Sequence, residues 1–289
     1  MKQHEKMSST SLPASPRPAR VAGRTTHALP WALDPHVRTG WLSTVARGAC
    51  GVFLDYDGTL TPIADRPEQA TLSASTRARL SRLASFCPVT IVTGRDVEVV
   101  RRFVRLDEIG YAGCHGLDIE GAAGTGLRYQ AAETVLPALD GAEADLRRAL
   151  AGLTGALVER KRYSVSTHYR LVDAHRAPVV EEAVAAVARR YPGLRREQGK
   201  KVFELRPDVA WNKGSAVAWL IEALSLDPGA AVYIGDDETD EHAFELLEGY
   251  GVPVVVEQGD RPTWARYRVR DPGEVAEVLD LLLETLNAC

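Results

Sequence analysis

The sequence predicts an α/β fold, in which a Rossmann-like parallel-sheet core carries an inserted, smaller α+β domain. Three observations predict it. First, short apolar segments alternate with helical patterns in residues 50–120 and 206–289. Second, polar clusters follow several of those apolar segments. Third, the intervening residues 121–205 have a different pattern of hydrophobic and polar residues. Strands that alternate with helices are typical of a parallel sheet covered on both faces.

Composition excludes several classes of protein. Of the 289 residues, 45% are hydrophobic and 26% charged, as in globular proteins. No apolar run approaches the roughly 18 residues of a membrane span, and the start lacks a secretory signal. The net charge of −4 argues against bulk attraction to nucleic acid or a membrane surface. Because the four cysteines form no CxxC pair, we expect a cytoplasmic protein with reduced thiols.

Residues 1–49 differ in composition from the rest of the chain. They contain seven Lys and Arg residues against two acidic ones, are rich in Ser, Thr and Pro, and show no apolar periodicity. We therefore expect a basic, largely disordered tail, within which residues 30–42 could dock on the body. An organelle-targeting peptide is the weaker alternative, because such peptides carry a helical apolar stripe.

The first part of the core, residues 50–120, is predicted to alternate strands and helices. Ser73 can cap the first helix, and Gly94 ends the second strand. The predicted strands are residues 51–55, 89–93 and 109–114, and the helices contain Leu80, Leu83 and Ala84, and Val97, Val100 and Val104.

The insert, residues 121–205, is predicted to alternate helices with hairpins. Residues 133–153 and 177–191 have helical periodicity, whereas residues 157–172 and 194–205 alternate like antiparallel strands with one polar face. This pattern indicates a separate α+β domain.

The α/β rhythm resumes in residues 206–289. Asn212 can cap a helix whose apolar side chains recur at i, i+3, i+4 and i+7. Two further strands follow at 231–235 and 252–256, and a closing helix at 274–286.

Two polar clusters follow predicted strands in the first part of the core. Asp55 and Asp57, with Gly58 and Thr59, suit a nucleophilic carboxylate beside a general acid/base; the alternative is a turn in which aspartates cap N–H groups. Thr93-Gly94-Arg95 suits an anion cradle, or is an ordinary helix entry. Ligands of open α/β sheets bind at these strand ends.

Two more clusters lie in the core after the insert. Lys213 falls in the first turn of a helix, where a cation opposes the helix dipole, so a bound anion could compensate; a solvated lysine is the alternative. Residues 236–241 hold five carboxylates, more than a helix N-terminus explains, and oxygen-only ligands suit Mg²⁺ rather than zinc.

In this order the four clusters resemble the haloacid dehalogenase superfamily, and seven segments look like the trehalose-6-phosphate phosphatase family. They are DYDGTLTPI (55–63), VTGR (92–95), AGCHGLDI (112–119), RYSVSTHYR (162–170), FELRP (203–207), WNKG (211–214) and YIGDDETDEHAF (233–244). The resemblance implies a cap domain at 121–205 on a catalytic core of 50–120 and 206–289. It also implies Mg²⁺-dependent hydrolysis of trehalose 6-phosphate through an aspartyl-phosphate. Cys114, where we expect a small polar residue, and the basic tail depart from the family.

The resemblance also implies roles for individual residues. Asp55 would be the nucleophile, Asp57 the acid/base, and Thr93 and Lys213 would stabilise charge. The phosphate-binding set would be Gly58, Thr59, Thr93, Gly94, Arg95 and Lys213; the metal ligands Asp55, Asp57 and Asp236, supported by Asp240 and Asp237; and the sugar-binding set Glu159, Lys161, Arg170, Lys200 and Glu204.

Three other functions remain open at this point. The nearest is a related sugar phosphatase or phosphomutase acting on sucrose, mannosyl or hexose phosphates. A non-catalytic regulatory module on the same fold, and a phospho-acceptor receiver domain, are disfavoured by the intact pair Asp55 and Asp57. The expected partner is a small sugar phosphate; a trehalose-6-phosphate synthase partner is possible, but no sequence feature supports it.

Overall fold

The structure is a computed structural model that describes residues 23–64, 66–199 and 201–288. Over these residues it contains fourteen strands in three sheets. The strands are β1 (Arg24–Thr25), β2 (Gly51–Leu54), β3 (Val89–Val92), β4 (Gly110–Gly113), β5 (Asp118–Glu120), β6 (Arg128–Gln130), β7 (Leu157–Lys161), β8 (Ser164–His168), β9 (Leu194–Gly199), β10 (Val202–Pro207), β11 (Ala231–Gly235), β12 (Val252–Val256), β13 (Pro262–Thr263) and β14 (Tyr267–Val269).

Eight α-helices and several short 3-10 turns connect these strands. The helices are α1 (Pro35–Val45), α2 (Ala74–Ala84), α3 (Val97–Val104), α4 (Leu136–Ala149), α5 (Ala177–Arg190), α6 (Lys213–Ala223), α7 (Glu241–Leu247) and α8 (Pro272–Asn287). The side chains of Ser73 and Asn212 accept hydrogen bonds from the first turns of α2 and α6, as the sequence predicts. None of the helices in the described ranges has the length and hydropathy to cross a membrane.

An eight-stranded sheet forms the core, in the order β14-β12-β11-β2-β3-β4-β5-β6. The strands from β14 to β4 run parallel, and β5 and β6 add an antiparallel edge. Strands β2, β3, β11 and β12 are buried along their whole length, which explains their continuous apolar sequences. The predicted α/β class with a parallel-sheet core is therefore confirmed.

Alternate residues of the central strands pack into two helical layers. Val52 and Leu54 of β2 face one apolar cluster, which α1, α2, α3 and α8 cover, whereas Phe53 faces a second cluster formed with α6 and α7. Each such fully buried side chain stabilises the fold by roughly 1.5–3 kcal/mol. Because helices cover both faces of the sheet, the polar residues that follow the parallel strands meet at the carboxyl edge of the sheet.

A second sheet, in the order β7-β8-β10-β9, is antiparallel and carries α4 and α5 on one face. Its covered face is apolar, with Val158, Val165 and Phe203 in the cluster beneath those helices. Because successive side chains of a strand alternate between faces, Lys161 and Glu204 lie on the opposite, polar face. We call this sheet with its helices the cap.

The cap is smaller than the predicted range of residues 121–205. Strand β6 lies within that range, but it pairs with β5 in the core sheet. The reason is aromatic packing: the ring of Tyr129 lies 5.0 Å from that of Trp211 and 4.9 Å from that of Trp219, both core residues. Strand β10 also continues to Pro207, just past the predicted boundary.

The N-terminal segment is more ordered than the predicted tail of residues 1–49, although the docking expected of residues 30–42 is confirmed. Residues 1–22 lie outside the described residues, but residues 23–49 are ordered against the core. Asp34 caps α1 by accepting a hydrogen bond from the His36 N–H, and Trp41 is only 2% exposed. Composition missed this segment because a few large side chains order it, including Trp31, whose Nε1 donates to Glu274 at 2.8 Å.

Candidate functional site

The four predicted clusters meet at the carboxyl edge of the core sheet. Asp55 directly follows β2, Thr93 follows β3, Asp236 follows β11, and Lys213 is the first residue of α6. The Asp55 N–H donates to the carbonyl of Ile234 at 2.8 Å, which ties the end of β2 to β11. Sequence-distant groups thus come together because neighbouring parallel strands end at one edge.

Three buried carboxylates form the centre of this site. Oxygen atoms of Asp55, Asp236 and Asp240 lie within 4.8 Å of one another, and each residue is at most 5% exposed. Burial and the neighbouring carboxylates raise the pKa of Asp55 well above its usual range, and the same causes raise the pKa of Asp236 to about 6. Hard oxygen ligands under mutual repulsion fit a divalent cation such as Mg²⁺.

Lys213 is the buried cation of the site. Its Nζ lies 2.8 Å from Asp55 Oδ1 and 2.7 Å from Asp240 Oδ1, and the residue is 2% exposed. Although burial opposes the charge, these carboxylates raise the pKa of Lys213 above its usual value. The ammonium also helps to lower the pKa of Asp237 to about 2, against the effect of burial. A permanent positive charge therefore stands beside the predicted nucleophile.

Asp240 acts mainly through hydrogen bonds. Its Oδ1 accepts from Lys213 and from the Tyr233 hydroxyl at 2.5 Å, and its Oδ2 accepts from the N–H groups of Asp236 and Asp237 at 3.1 Å. A carboxylate has about four lone-pair sites, so these donors occupy them. In this arrangement Asp240 positions the lysine and the loop, and its predicted role as a supporting metal ligand stays a prediction. Sequence reasoning missed Tyr233, although a buried tyrosine needs a hydroxyl partner.

Gly58 allows the loop after β2 to approach Asp236. Its φ is +83°, and a Cβ at this position would overlap the Asp236 carboxylate. Thr59 then donates its hydroxyl to Asp236 Oδ1 at 3.3 Å. Glycine is required here for both the left-handed backbone and the close contact.

Gly58→Ala should displace Asp236 and lower kcat/KM for the phosphate-ester hydrolysis that the resemblance implies by about 100-fold. The matched control is Gly124→Ala, since Gly124 has φ +84° but, apart from Gly124 and its two chain neighbours, no described residue has an atom within 4 Å of the point where the added methyl group would stand. Steady-state kinetics at saturating Mg²⁺ checks the effect. Equal losses of kcat/KM in the two variants would show that glycine is needed at position 58 because of backbone strain, and not because of the contact with Asp236.

Asp57 is held by an arginine fork. Arg95 Nε and Nη2 donate to Asp57 Oδ2 and Oδ1 at 2.7 and 2.5 Å, and the guanidinium lies 5.2 Å from the Tyr56 ring centre. The structure thus places Arg95 on the predicted acid/base, whereas sequence reasoning assigned it to phosphate; that phosphate role stays a prediction. Thr93 is 1% exposed, and its hydroxyl accepts from the Arg95 N–H.

Two adjoining cavities, of about 110 and 190 Å³, lie between this edge and the polar face of the cap. Lys161 and Glu204 line the smaller, together with Gly94; Lys213 lines the larger. Glu204 accepts hydrogen bonds from Ser166 at 2.8 Å and Ser164 at 3.0 Å. Although burial opposes it, the Ser166 bond and Lys161 lower the pKa of Glu204.

Two further predicted sugar-binding residues, Glu159 and Arg170, do not line these cavities. Glu159 lies on β7, where its Oε2 is 2.9 Å from His168 Nε2. Arg170 lies in an exposed turn after β8, and Lys200 falls outside the described residues. Their assignment to the sugar site stays a prediction.

Two cavity residues were missed or set aside by the sequence analysis. His115 and Arg206 line both cavities. Burial lowers the pKa of His115 to about 3, with Arg206 and Lys213 acting in the same direction, so its imidazole is neutral. Strand alternation could have identified Arg206, because it lies two residues beyond Glu204 on the same face of β10.

Comparisons with known proteins agree with this geometry. The family model described as trehalose-phosphatase matches residues 53–273. The chain is 40% identical over 246 residues to "Probable trehalose-phosphate phosphatase D" of Arabidopsis thaliana, covering 81% of the chain and 67% of that protein. It is 40% identical over 274 residues to a trehalose-phosphate phosphatase of Mycobacterium marinum, covering 93% and 69%. The solved trehalose-6-phosphate phosphatase of Aspergillus fumigatus shares 26% identity at a TM-score of 0.65, covering 89% and 99%.

Proposed function

Since the chain belongs to the trehalose-phosphatase family, within the haloacid dehalogenase superfamily, we propose that it hydrolyses trehalose 6-phosphate to trehalose and phosphate with Mg²⁺ as cofactor. One observation supports this most directly: Lys213, which donates to the buried carboxylates of Asp55 and Asp240, lines a cavity that polar residues of the cap also line. A phosphate at Lys213 would place its sugar among hydrogen-bonding groups.

The first chemical step is assigned to Asp55. A carboxylate oxygen attacks phosphorus in line, the new O–P bond forms, and the bond from phosphorus to the sugar oxygen breaks. Lys213, whose Nζ lies 2.8 Å from Asp55 Oδ1, and the buried Thr93 hydroxyl are assigned to bind the phosphate oxygens. Fixed charges at the reacting group supply most of the stabilisation in phosphoryl transfer.

Asp57 is assigned the proton transfers. A sugar alkoxide is a poor leaving group, so Asp57 protonates it and then takes a proton from the water that hydrolyses the aspartyl-phosphate. Its side chain is 41% exposed, which gives water access, while the Arg95 fork holds its orientation. Because Asp57 is accessible to water and is oriented by Arg95, it can serve both the formation and the hydrolysis of the aspartyl-phosphate.

The cation is assigned to Asp55, Asp236 and the main-chain carbonyl of Asp57, with Asp240 and Asp237 in support. When bound, it neutralises the repulsion between these carboxylates and the phosphate dianion. Sugar recognition is assigned to Lys161 and Glu204, which line the smaller cavity. As the family resemblance implies, it is also assigned to Glu159, Arg170 and Lys200.

Phosphate release from a substrate panel tests the function. We expect kcat/KM for trehalose 6-phosphate to exceed that for glucose 6-phosphate or sucrose 6-phosphate at least about tenfold, because the cap groups bind sugar hydroxyls. A chelator should abolish release, and added Mg²⁺ should restore it. A preference for sucrose 6-phosphate or a hexose phosphate would instead favour the related sugar phosphatases.

Cation binding should also depend on pH. With a pKa of about 6, Asp236 holds its proton for much of the time at about pH 5.5, so a cation must displace that proton; at about pH 7.5 it is already ionised. We therefore expect Mg²⁺ to raise the Tm more at the higher pH. Thermal unfolding with and without Mg²⁺ measures this, and an equal shift at both pH values would contradict the site.

A further inference from the structure

Asp96 breaks a local rule of helix structure. It occupies the N-cap position of α3 with suitable backbone angles, φ −63° and ψ 144°, and its carbonyl accepts from the N–H groups of Val99 and Val100. Its carboxylate, however, accepts no capping hydrogen bond from the first turn of α3, all of which the structure describes. Aspartate at this position normally caps the first turn, and here the Asp96 side chain contacts other hydrogen-bond donors.

The Asp96 carboxylate instead joins the core to the cap. Its Oδ2 accepts from the main-chain N–H of Arg162, in the turn between β7 and β8, at 3.2 Å. Its Oδ1 accepts from the Cys114 thiol, after β4, at 2.9 Å. The two oxygens therefore connect one point on each domain.

The turn that Asp96 holds is docked on the core by other contacts as well. Arg162 Nε lies 2.8 Å from Oδ2 of Asp118, a residue only 2% exposed. Tyr163, 1% exposed, packs in a cluster with Cys114 and Leu117 of the core. The β7–β8 turn is thus a defined docking element of the cap.

The residues next to Asp96 and Arg162 in the sequence, Arg95 and Lys161, belong to the proposed site. Lys161, next to Arg162, lines the smaller cavity with Glu204. Arg95, next to Asp96, donates two hydrogen bonds to the Asp57 carboxylate. Asp96 itself also lines the smaller cavity, so its contact with the Arg162 N–H lies at the wall of the proposed sugar site, next to the loop that orients the acid/base.

We propose that Asp96 is a positioning residue for the reaction: by holding the Arg162 N–H, it places the sugar-binding face of the cap over the phosphate site. The inference rests on the proposed function. It predicts that Asp96 contributes to turnover of a sugar phosphate, which uses the cap, and not to turnover of a small aryl phosphate, which does not.

Asp96→Ser separates this role from a structural one. Serine is a good N-cap and can satisfy α3, but it is too short to reach Arg162. We expect an unchanged or higher Tm, a kcat/KM for trehalose 6-phosphate that falls about tenfold, and a kcat/KM for p-nitrophenyl phosphate within about twofold of the parent. Asp96→Asn, which keeps the length and one acceptor oxygen, should recover most of the loss.

The control is Asp140→Ser. Asp140 also pairs with an arginine of the same hairpin, at 2.9 Å from Arg160 Nη2, but it lies within the cap and 70% of its side chain is exposed. We expect both substrates to be turned over normally. Glu204→Ala, which removes a cap recognition group directly, provides the reference pattern for loss restricted to the sugar phosphate.

Two results would overturn the inference. One is full trehalose 6-phosphate turnover by Asp96→Ser; the other is an equal loss for both substrates, which would place Asp96 in the phosphate chemistry. If the parent protein itself does not cleave trehalose 6-phosphate, the proposed function has failed instead, and the two failures are distinguishable. Should Asp96→Ser unfold, Asp96→Gly decides, because glycine is a tolerated N-cap and has no acceptor for the Arg162 N–H. A ratio of trehalose 6-phosphate to p-nitrophenyl phosphate activity as low as that of Glu204→Ala supports the inference, and an undiminished ratio contradicts it.

Discussion

Asp55→Asn is expected to lower turnover of trehalose 6-phosphate by at least about 10⁴-fold while the protein stays folded. The amide cannot attack phosphorus, and Asp55 is the residue that directly follows β2 at the site. The fold should tolerate the change because Asp55 is a buried carboxylate whose pKa burial and its neighbours raise, so ionising it in the native state costs free energy. Lys213 keeps Asp240 as a partner at 2.7 Å.

Single-turnover kinetics and thermal unfolding of Asp55→Asn together check this expectation. Asp145→Asn is the control: Asp145 is also a buried aspartate, 9% exposed, but lies on α4 of the cap and pairs there with Arg148. It should reduce stability and leave turnover comparable to that of the parent. Appreciable activity of Asp55→Asn would refute the nucleophile assignment. Covalent phosphate recovered on another residue would do the same.

Lys213→Met should damage both activity and stability. Removing the ammonium leaves Asp55 and Asp240 buried without their shared cation, and breaking a buried ion pair in this way costs about 3–5 kcal/mol. Loss of a fixed positive charge beside the phosphate should also lower kcat by about 10²–10³-fold. The predicted pattern thus differs from that for Asp55→Asn, in which activity is lost but stability is kept.

Urea unfolding at pH 7, combined with phosphate release, measures the two effects. Lys201→Met is the matched control, because Lys201 is exposed in the turn between β9 and β10 and its ammonium lies 5.6 Å from the Tyr169 ring. It should change neither quantity appreciably. A Lys213→Met protein as stable as the parent would show that the carboxylates do not depend on this lysine.

The core architecture was largely predictable from local pattern. Buried parallel strands contact helices on both faces, so β2, β3, β11 and β12 appear in the sequence as short apolar runs between helices. The polar residues after these runs could be placed at one edge without coordinates, because all parallel strands in a sheet end on the same side.

Predictions failed where order depends on distant contacts. Residues 23–49 look largely disordered by composition, yet they are ordered well beyond the docking expected of residues 30–42, because Trp41 is buried in the core and Trp31 bonds to Glu274 of α8. Strand β6 was assigned to the insert, but stacking of Tyr129 on two tryptophans keeps it in the core sheet. Neither contact leaves a periodic signal, because the partners lie tens to hundreds of residues away.

By itself, the sequence determined the fold class and the family and indicated candidate residues for the proposed chemistry, since these depend on residue type and local spacing. Only the tertiary structure decided which groups pair: Lys213 with Asp240, Arg95 with Asp57, and Asp96 with the Arg162 N–H. Such pairs depend on how two domains and several strand ends pack together in space. Periodicity along the chain carries no information about that packing.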